Sequence, residues 1–228
     1  MLYHKDLLHV INSNDLPACH EVGESIIYVD DDSDAVHEKD PEALRDLIEH
    51  EANNSASWLK DNRLCVAADK SKLLIIGTKQ LKASKDIPEM KIEVDGKVIE
   101  ESKCEKLLGV MLDNDLTWKT HLYGDKDNEG LIPQLSKRIG VMKQLSKYMS
   151  KEKLMFFASG IFYSKLIYCL PVFGNVFGLE QYRDEDTRYT SFTKEDNNRL
   201  QILQNKLNRL ILGAEPRTPT AQLLQDTG

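Results

Sequence analysis

The sequence predicts an α+β protein whose strands come before its helices. In the first half, short apolar runs alternate with turn residues; residues 91–99, for example, form two alternating segments around Asp95-Gly96. From Leu131 onward, apolar residues recur every three or four positions, which is the period of an amphipathic helix. A chain of 228 residues can form one large or two small domains with a hydrophobic core.

Composition excludes several classes of protein. Hydrophobic residues make up 41% of the chain and charged residues 29%, as in soluble globular proteins. No uninterrupted apolar run approaches the roughly 20 residues that span a bilayer, and the charged N-terminus is not a signal peptide. The four cysteines are widely spaced without a C-x-x-C, so neither a zinc site nor a disulfide framework is predicted. We therefore expect an intracellular protein with no membrane partner.

The net charge of −7 is unevenly distributed along the chain. Residues 1–130 contain 16 Lys and Arg against 28 Asp and Glu, whereas residues 131–217 contain 14 against 8. A basic helical face can bind a nucleic-acid backbone through its phosphates, although the same bias also suits a solvated helix surface. The candidate backbone contacts lie off the apolar stripe of the first C-terminal helix: Lys137, Arg138, Lys143 and Lys147.

The segment Ile26-Ile27-Tyr28-Val29-Asp30-Asp31 combines an apolar strand with two adjacent carboxylates. Alternation predicts a half-buried strand that delivers its acids at the tip of a hairpin. Neighbouring carboxylates repel each other by roughly 1 kcal/mol or more, and a divalent cation relieves that repulsion. Mg²⁺ is commonly held by one or two carboxylates and substrate phosphates, so Asp30 and Asp31 are candidate metal ligands for phosphoryl transfer.

The acidic run also permits a calcium hypothesis, which the following residues weaken. Asp30, Asp32 and Asp34 have the spacing of EF-hand ligands. However, Ala35 replaces the glycine of that loop, Pro41 occupies the last ligand position, and a strand precedes the run instead of a helix.

Caps and periodicity predict the other elements. Asp40 followed by Pro41 predicts a helix over 41–60. Strands are predicted over 64–67, 73–76 and 104–112, besides the hairpin at 91–99. Three helices are predicted near the C-terminus: one over 131–149, one from Ser150 to Pro171, and one that begins with a Thr193–Asp196 capping box and ends at Gly213. Gly, Asp and Asn cluster at 123–130, where we place the boundary between strands and helices.

Several short motifs, in order along the chain, resemble reverse transcriptases of the non-LTR retrotransposon type. Tyr28-Val29-Asp30-Asp31 resembles the Y-x-D-D box, and residues 58–64 resemble the W-L-x-x-N-x-L segment. Residues 69–72 are similar to the lysine motif and residues 107–110 to the L-G-V primer grip. Residues 14–17 resemble "NDLP", residues 116–121 are similar to "LTW-x-x-H", and residues 168–174 are similar to the "Y-G-x-P-V-W-G" thumb segment. The Y-x-D-D box alone is a weak signal, but the ordered set is specific.

This resemblance implies a fold and an activity. Residues 1–122 would form part of a polymerase palm, an antiparallel sheet with packed helices, and residues 131–228 a helical thumb. The activity would be RNA-directed DNA polymerisation on an RNA template and a DNA primer with dNTPs, using two Mg²⁺ (or Mn²⁺) ions. The residues carried over are Asp30 and Asp31 as catalytic metal ligands and Lys70 beside the phosphates of the incoming nucleotide. The resemblance also implies that Leu107, Leu108, Gly109 and Val110 form the primer grip, which is a β-hairpin in that family; a plain core strand is the alternative.

The sequence also departs from the family. Asp32 follows the acidic pair where Thr or Ser is usual, and Phe173 stands where Trp is usual. No residues match the fingers or the earlier palm strand that supplies a third carboxylate; Asp32 and Asp15 are the remaining candidates for that ligand. We therefore expect a truncated or decayed copy that lacks an N-terminal polymerase segment and does not polymerise alone. The alternatives are a non-catalytic nucleic-acid-binding module and a remnant with no molecular role.

Overall fold

The computed structural model describes residues 2–3, 16–19, 21–28, 31–67, 70–77, 89–174, 193–215 and 217–219. The chain divides into two compact units, Met1–Glu105 and Lys106–Gly228. Small sheets and several helices are both present, so the predicted α+β class is confirmed. The units divide earlier in the chain than the boundary predicted at 123–130, and the palm and thumb assignments stay predictions.

The first unit contains two small sheets. One has the strand order β1-β3-β2 and is antiparallel throughout; its strands are β1 (Leu2–Tyr3), β2 (Glu24–Tyr28) and β3 (Asp31–Ala35). The other has the order β4-β6-β5; its strands are β4 (Leu73–Leu74), β5 (Lys91–Val94) and β6 (Lys97–Ser102). The hairpins predicted around the acidic pair and around Asp95-Gly96 are therefore confirmed.

Helix α1 (Pro41–Asp61) packs on the second of these sheets. Its start agrees with the prediction, because the Asp40 carboxylate accepts a hydrogen bond from the Ala43 N–H at 2.9 Å and Pro41 occupies the first turn. The helix buries Ala56 and Leu59 in the core of the unit. The strands and loops around it contribute Val66, Leu73, Ile75, Met90, Ile92, Val94 and Ile99 to the same core.

Two predictions in the first unit need correction. Residues 64–67 are not a strand: Arg63 has a φ of 60°, and the Leu64 N–H donates to the Leu59 carbonyl at 2.7 Å as the chain leaves α1. The strand predicted over 73–76 is limited to β4. Leu16–Cys19 forms a 3₁₀ turn, and residues 4–15 lie outside the described residues.

The second unit is mainly helical. Strand β7 (Cys104–Leu107), in which the division between the units falls, pairs with β8 (Val110–Asp113). The helices are α2 (Lys119–Tyr123), α3 (Leu131–Leu145), α4 (Lys151–Ala158), α5 (Ser164–Ile167), α6 (Leu170–Phe173) and α7 (Lys194–Leu212), and a π-helical turn, Ser159–Tyr163, joins α4 to α5.

The single strand predicted over 104–112 is instead a hairpin. Its chain reverses at Leu108 and Gly109, whose φ angles are 45° and 88°. Two-residue hairpin turns with positive φ at both positions match the twist of the flanking strands. Leucine rarely adopts this conformation, so residue propensities did not predict the reversal, which only the resemblance to a primer grip implied.

The predicted apolar stripes form the core of the second unit. Helix α3 buries Leu131, Leu135 and Met142, and the continuous helical segment from α4 to α5 buries every fourth residue from Leu154 to Leu166. Helix α7 begins with the predicted capping box and ends at Gly213 in the left-handed conformation. The helix predicted to end at Pro171 ends earlier, at Ile167, and Pro171 lies inside the short helix α6.

Within the described residues, one helical stretch is long and apolar enough, by length and composition alone, to cross a membrane. It runs over Lys151–Phe173 and has a mean hydropathy of 1.5 in its most apolar window. Three lysines interrupt it, and the side chains of Leu154, Ala158, Phe162 and Leu166 pack into the core of the second unit.

Candidate functional site

The Y-x-D-D segment lies at the β2–β3 hairpin. In the register of this hairpin, Tyr28 is paired with Asp31, and Asp31 is also paired with Tyr3 of β1. Tyr28 is 62% exposed. Val29 and Asp30 lie outside the described residues, and of Asp31 only the backbone is described. The roles of Asp30 and Asp31 as metal ligands therefore stay predictions.

Asp32, the acid that follows the pair, is buried. Its Oδ1 accepts a hydrogen bond from the Ser25 hydroxyl at 2.9 Å, and it is only 6% exposed. Its Oδ2 is also buried and has no hydrogen-bond partner among the described residues. The described residues therefore hold one oxygen of Asp32 inside the unit, and its role as a third metal ligand stays a prediction.

Glu51, which was not among the predicted site residues, connects helix α1 to the segment that leads into β2. Its carboxylate, 1% exposed, accepts hydrogen bonds from the Glu21 N–H at 3.2 Å and from the Val22 N–H at 3.0 Å. These charge-assisted bonds fix the entry to the hairpin. The position of an acid on the apolar face of the helix, three residues after Ile48, is the signal that could have found it.

Lys70 lies in a tight turn between α1 and β4. The Ala67 carbonyl accepts hydrogen bonds from the N–H groups of Lys70 and Ser71 at 2.8 and 3.0 Å and from the Ser71 hydroxyl at 3.2 Å. The Lys70 side chain is exposed. The side chain of Asp31 lies outside the described residues, so its distance from the Lys70 ammonium is not defined. The role of Lys70 beside the phosphates of the incoming nucleotide therefore stays a prediction.

The four residues predicted to form a primer grip lie at the turn of the β7–β8 hairpin, and their role stays a prediction. Val110 is buried, whereas Leu108 is 38% exposed at the tip. The Tyr168 hydroxyl donates to the Leu108 carbonyl at 2.5 Å, and a Cβ on Gly109 would lie 3.4 Å from Tyr168 Cε1. Tyr168 therefore stabilises the turn by this hydrogen bond. It lies 60 residues after Leu108 in the chain, so no local sequence pattern indicates the contact.

The motif at residues 116–121 has a structural explanation in the carboxylate of Asp113. This buried side chain accepts hydrogen bonds from the N–H of Thr117 at 2.7 Å, from its hydroxyl at 3.1 Å, and from the N–H of Trp118 at 2.8 Å. These bonds hold Leu116 and Trp118 at positive φ, 49° and 58°, and direct the Trp118 ring into the core.

His121, the last residue of this motif, is a buried neutral imidazole. Its Nδ1 accepts a hydrogen bond from the Met111 N–H at 3.4 Å, and its ring centroid lies 4.7 Å from that of Phe173. Burial, together with the positive charge of Lys165, lowers the pKa of His121 to about 4. Its Nε2 has no partner among the described residues. The imidazole therefore stays neutral at physiological pH and fills the core.

A second buried carboxylate, that of Asp196, joins α7 to α2. It accepts hydrogen bonds from the Lys119 ammonium at 2.8 Å, from the Tyr123 hydroxyl at 2.5 Å and from the Thr193 hydroxyl at 2.7 Å. Burial opposes ionisation of Asp196, but these hydrogen bonds outweigh it and hold its pKa well below the usual value. Burial and the bond to Asp196 raise the pKa of Tyr123 to about 12.

The four basic residues predicted to contact a nucleic-acid backbone differ in their surroundings. The Lys137 ammonium lies 2.7 Å from Glu129, in an exposed ion pair. Arg138 is half-buried, and its guanidinium donates to the Ile161 carbonyl, so it joins α3 to the π-helical turn. Lys143 and Lys147 are exposed. These two lysines are therefore the members of the set best placed to meet a phosphate.

The part of the chain that the structure describes contains no group of three or more His, Cys, Asp or Glu side chains that could hold a metal ion. No family model, no curated protein and no solved structure matches this chain.

Proposed function

We propose that this chain carries the Y-x-D-D half of the active site of an RNA-directed DNA polymerase of the non-LTR retrotransposon type. The ordered series of motifs carries the proposal, and the antiparallel β2–β3 hairpin around the Y-x-D-D segment supports it. In this proposal, the two sheets and α1 of the first unit form part of the palm, and the helices of the second unit form the thumb.

Each matched residue would have a defined chemical role. Bound Mg²⁺ or Mn²⁺ would lower the pKa of the primer 3′-hydroxyl and hold the triphosphate. Asp30 and Asp31 would supply carboxylate oxygens for the metal ions, and the Lys70 ammonium would stabilise the leaving pyrophosphate. The hairpin of residues 107–110 would support the 3′ end of the primer.

We expect that residues 1–228 do not polymerise by themselves. The matched motifs supply two of the three carboxylates that the two-metal reaction needs, and the third acid of the hairpin, Asp32, is buried and bonded to Ser25. A separate segment with fingers and the earlier palm strand would have to supply the third carboxylate.

The test is primer extension with purified chain on an RNA template and DNA primer, with dNTPs and Mg²⁺ or Mn²⁺. We expect no incorporation by the chain alone, and incorporation when a segment with fingers and the earlier palm strand is added. That incorporation should disappear in Asp30→Ala. Incorporation by residues 1–228 alone that requires Asp30 would contradict the expected dependence on the added segment. Incorporation unaffected by Asp30→Ala would contradict the assignment of the site.

A second candidate function is binding of nucleic acid without catalysis. The excess of basic residues in the helical part of the chain and the exposure of Lys143 and Lys147 favour it. Such binding should weaken steeply with salt because each phosphate contact releases a counterion. Binding that does not change between 50 and 200 mM salt would contradict this function.

A further inference from the structure

The second unit contains a cationic cleft of about 580 Å³ between the turn that precedes α4 and the C-terminal turns of α7. Lys151, Lys206 and Arg209 line it on the charged side, and Met149, Leu154 and Leu210 on the apolar side. No Asp or Glu is among the described residues that line it. This lining suits a ligand that carries an anionic group next to an apolar surface.

The positions of the two lysines are not explained by helix stability. Lys151 is the first residue of α4, where the positive end of the helix dipole disfavours a cation. Lys206 lies six residues before the end of α7, more than one turn away, beyond the reach of the negative end of that dipole. Both ammonium-bearing side chains are exposed. Two cations that bring little benefit to their own helices therefore face the same cleft.

Arg209 has a structural role in the same place. Its Nη2 donates to the Thr218 carbonyl at 3.0 Å, which fixes the guanidinium beside the end of α7. The Ala214 N–H donates to the Arg209 carbonyl at 2.9 Å, so this end of the helix is already capped. The guanidinium therefore adds a fixed positive charge to a wall of the cleft.

We propose that this cleft binds the phosphodiester backbone of a single-stranded nucleic acid. Lys151 and Lys206 would contact neighbouring phosphates, while the apolar wall would face the sugar or base of one nucleotide. This inference rests on the proposed function, because it assigns the nucleic-acid contacts of the helical unit. It differs from the sequence prediction, which placed these contacts on α3 and the turn after it, at Lys137, Arg138, Lys143 and Lys147.

The test compares two double variants by fluorescence anisotropy of a labelled 16-nucleotide single-stranded DNA. In Lys151→Gln/Lys206→Gln we expect about 20-fold weaker binding at 100 mM salt and a salt slope smaller by about 1.4, the effect of two lost phosphate contacts. The matched control is Lys153→Gln/Lys194→Gln, which removes the same charge from exposed lysines of α4 and α7 that do not line the cleft. We expect the control to weaken binding by no more than about threefold.

Equal losses of affinity in the two double variants would overturn the proposal that the cleft is the binding site, because the lysines would then act only through the overall positive charge. The proposed function would not be affected by that result. If the unmodified chain does not bind the oligonucleotide at 25 mM salt, the proposed role of the cleft is also wrong. Metal binding at Asp30 and Asp31 tests the polymerase assignment separately. Binding to vesicles of phosphatidylserine and phosphatidylcholine without binding to the oligonucleotide would show that the anion is a lipid headgroup and would overturn the proposal. Matching circular dichroism spectra and melting curves for all variants would exclude unfolding as the cause of a loss.

Discussion

Two buried carboxylates, one in each unit, are held in different ways. In the second unit, Asp196 accepts hydrogen bonds from an ammonium, a phenol and the hydroxyl of a helix cap. In the first unit, Asp32 accepts a hydrogen bond from one serine hydroxyl, and its second oxygen has no partner among the described residues. Because an unpaired buried oxygen costs free energy, we infer that Asp32 contributes less to the stability of its unit than Asp196 does.

The units also differ in how much apolar surface is buried: the second unit has a large core, whereas the sheet that carries the Y-x-D-D segment leaves apolar side chains exposed. The core of the second unit draws residues from β8 and from α2 to α7. The core of the first unit lies between α1 and the β4-β6-β5 sheet, and on the Y-x-D-D sheet Ile26 and Tyr28 are each 62% exposed. Burial of apolar side chains therefore stabilises the β1-β3-β2 sheet less than it stabilises the second unit. We expect this sheet to open before the second unit unfolds.

The largest effect that we expect comes from Asp196→Ala. It should lower the free energy of unfolding of the second unit by about 3 kcal/mol, because the Tyr123 hydroxyl, Thr193 and the Lys119 ammonium lose their common acceptor. The chain has two tryptophans, Trp58 in the first unit and Trp118 in the second, so a Trp58→Phe background reports urea unfolding of the second unit alone. In the matched control, Glu195→Ala at an exposed residue, the change should stay within about 0.5 kcal/mol. Similar losses in the two variants would contradict the role given to the buried network.

The next effect is a pH dependence confined to the second unit. Because the pKa of folded His121 is lowered to about 4 from an ordinary value near 6.5, the unfolded chain binds more protons between these pH values. The stability that the neutral imidazole provides is complete above pH 6.5 and is lost as the pH falls toward 4, by about 3 kcal/mol. Urea unfolding at pH 7 and pH 4 measures this loss. In His121→Gln the loss should be much smaller, and an unchanged loss would show that another group is responsible.

A smaller effect is expected in the first unit from Glu51→Ala. Removing this carboxylate leaves the N–H groups of Glu21 and Val22 without their acceptor, which should lower the free energy of unfolding of the first unit by about 2 kcal/mol. Trp58 fluorescence in a Trp118→Phe background measures it. Asp61→Ala, at the exposed end of the same helix, serves as the control and should change stability by only a few tenths of a kcal/mol. If Glu51→Ala is equally neutral, the carboxylate does not hold the entry to the hairpin.

The smallest effects have opposite signs at two glycines of the second unit. Gly109→Ala should destabilise the unit by about 1–2 kcal/mol, because φ is 88°, a conformation that a residue with a Cβ adopts only under strain. Gly140→Ala should stabilise it by about 0.5–1 kcal/mol, because Gly140 lies in α3 with open space around its Cα. Thermal melting of the two variants gives both signs, and destabilisation by Gly140→Ala would contradict the packing described for α3.

The sequence predicted the features that depend on neighbouring residues. Asp40-Pro41, the Thr193–Asp196 capping box and Asp95-Gly96 each determine a local conformation, and the structure has the corresponding helix starts and turn. Residue patterns did not predict the reversal at Leu108–Gly109, because leucine disfavours positive φ and the supporting Tyr168 is distant in the chain; the resemblance to a primer grip did imply a hairpin there. The convergence of Lys151 and Lys206 on one cleft escaped for the same reason, since it depends on how α4 and α7 pack.

The most direct test of the central claim is a calorimetric titration of the full chain with Mg²⁺ or Mn²⁺, beside Asp30→Asn/Asp31→Asn. The proposal predicts saturable binding by the unmodified chain and its loss in the double variant. The matched control, Asp125→Asn/Asp127→Asn, removes two exposed acids from a loop of the second unit and should keep the binding. Binding that survives in Asp30→Asn/Asp31→Asn, or no binding by the unmodified chain, would contradict the assignment of the hairpin as a metal site.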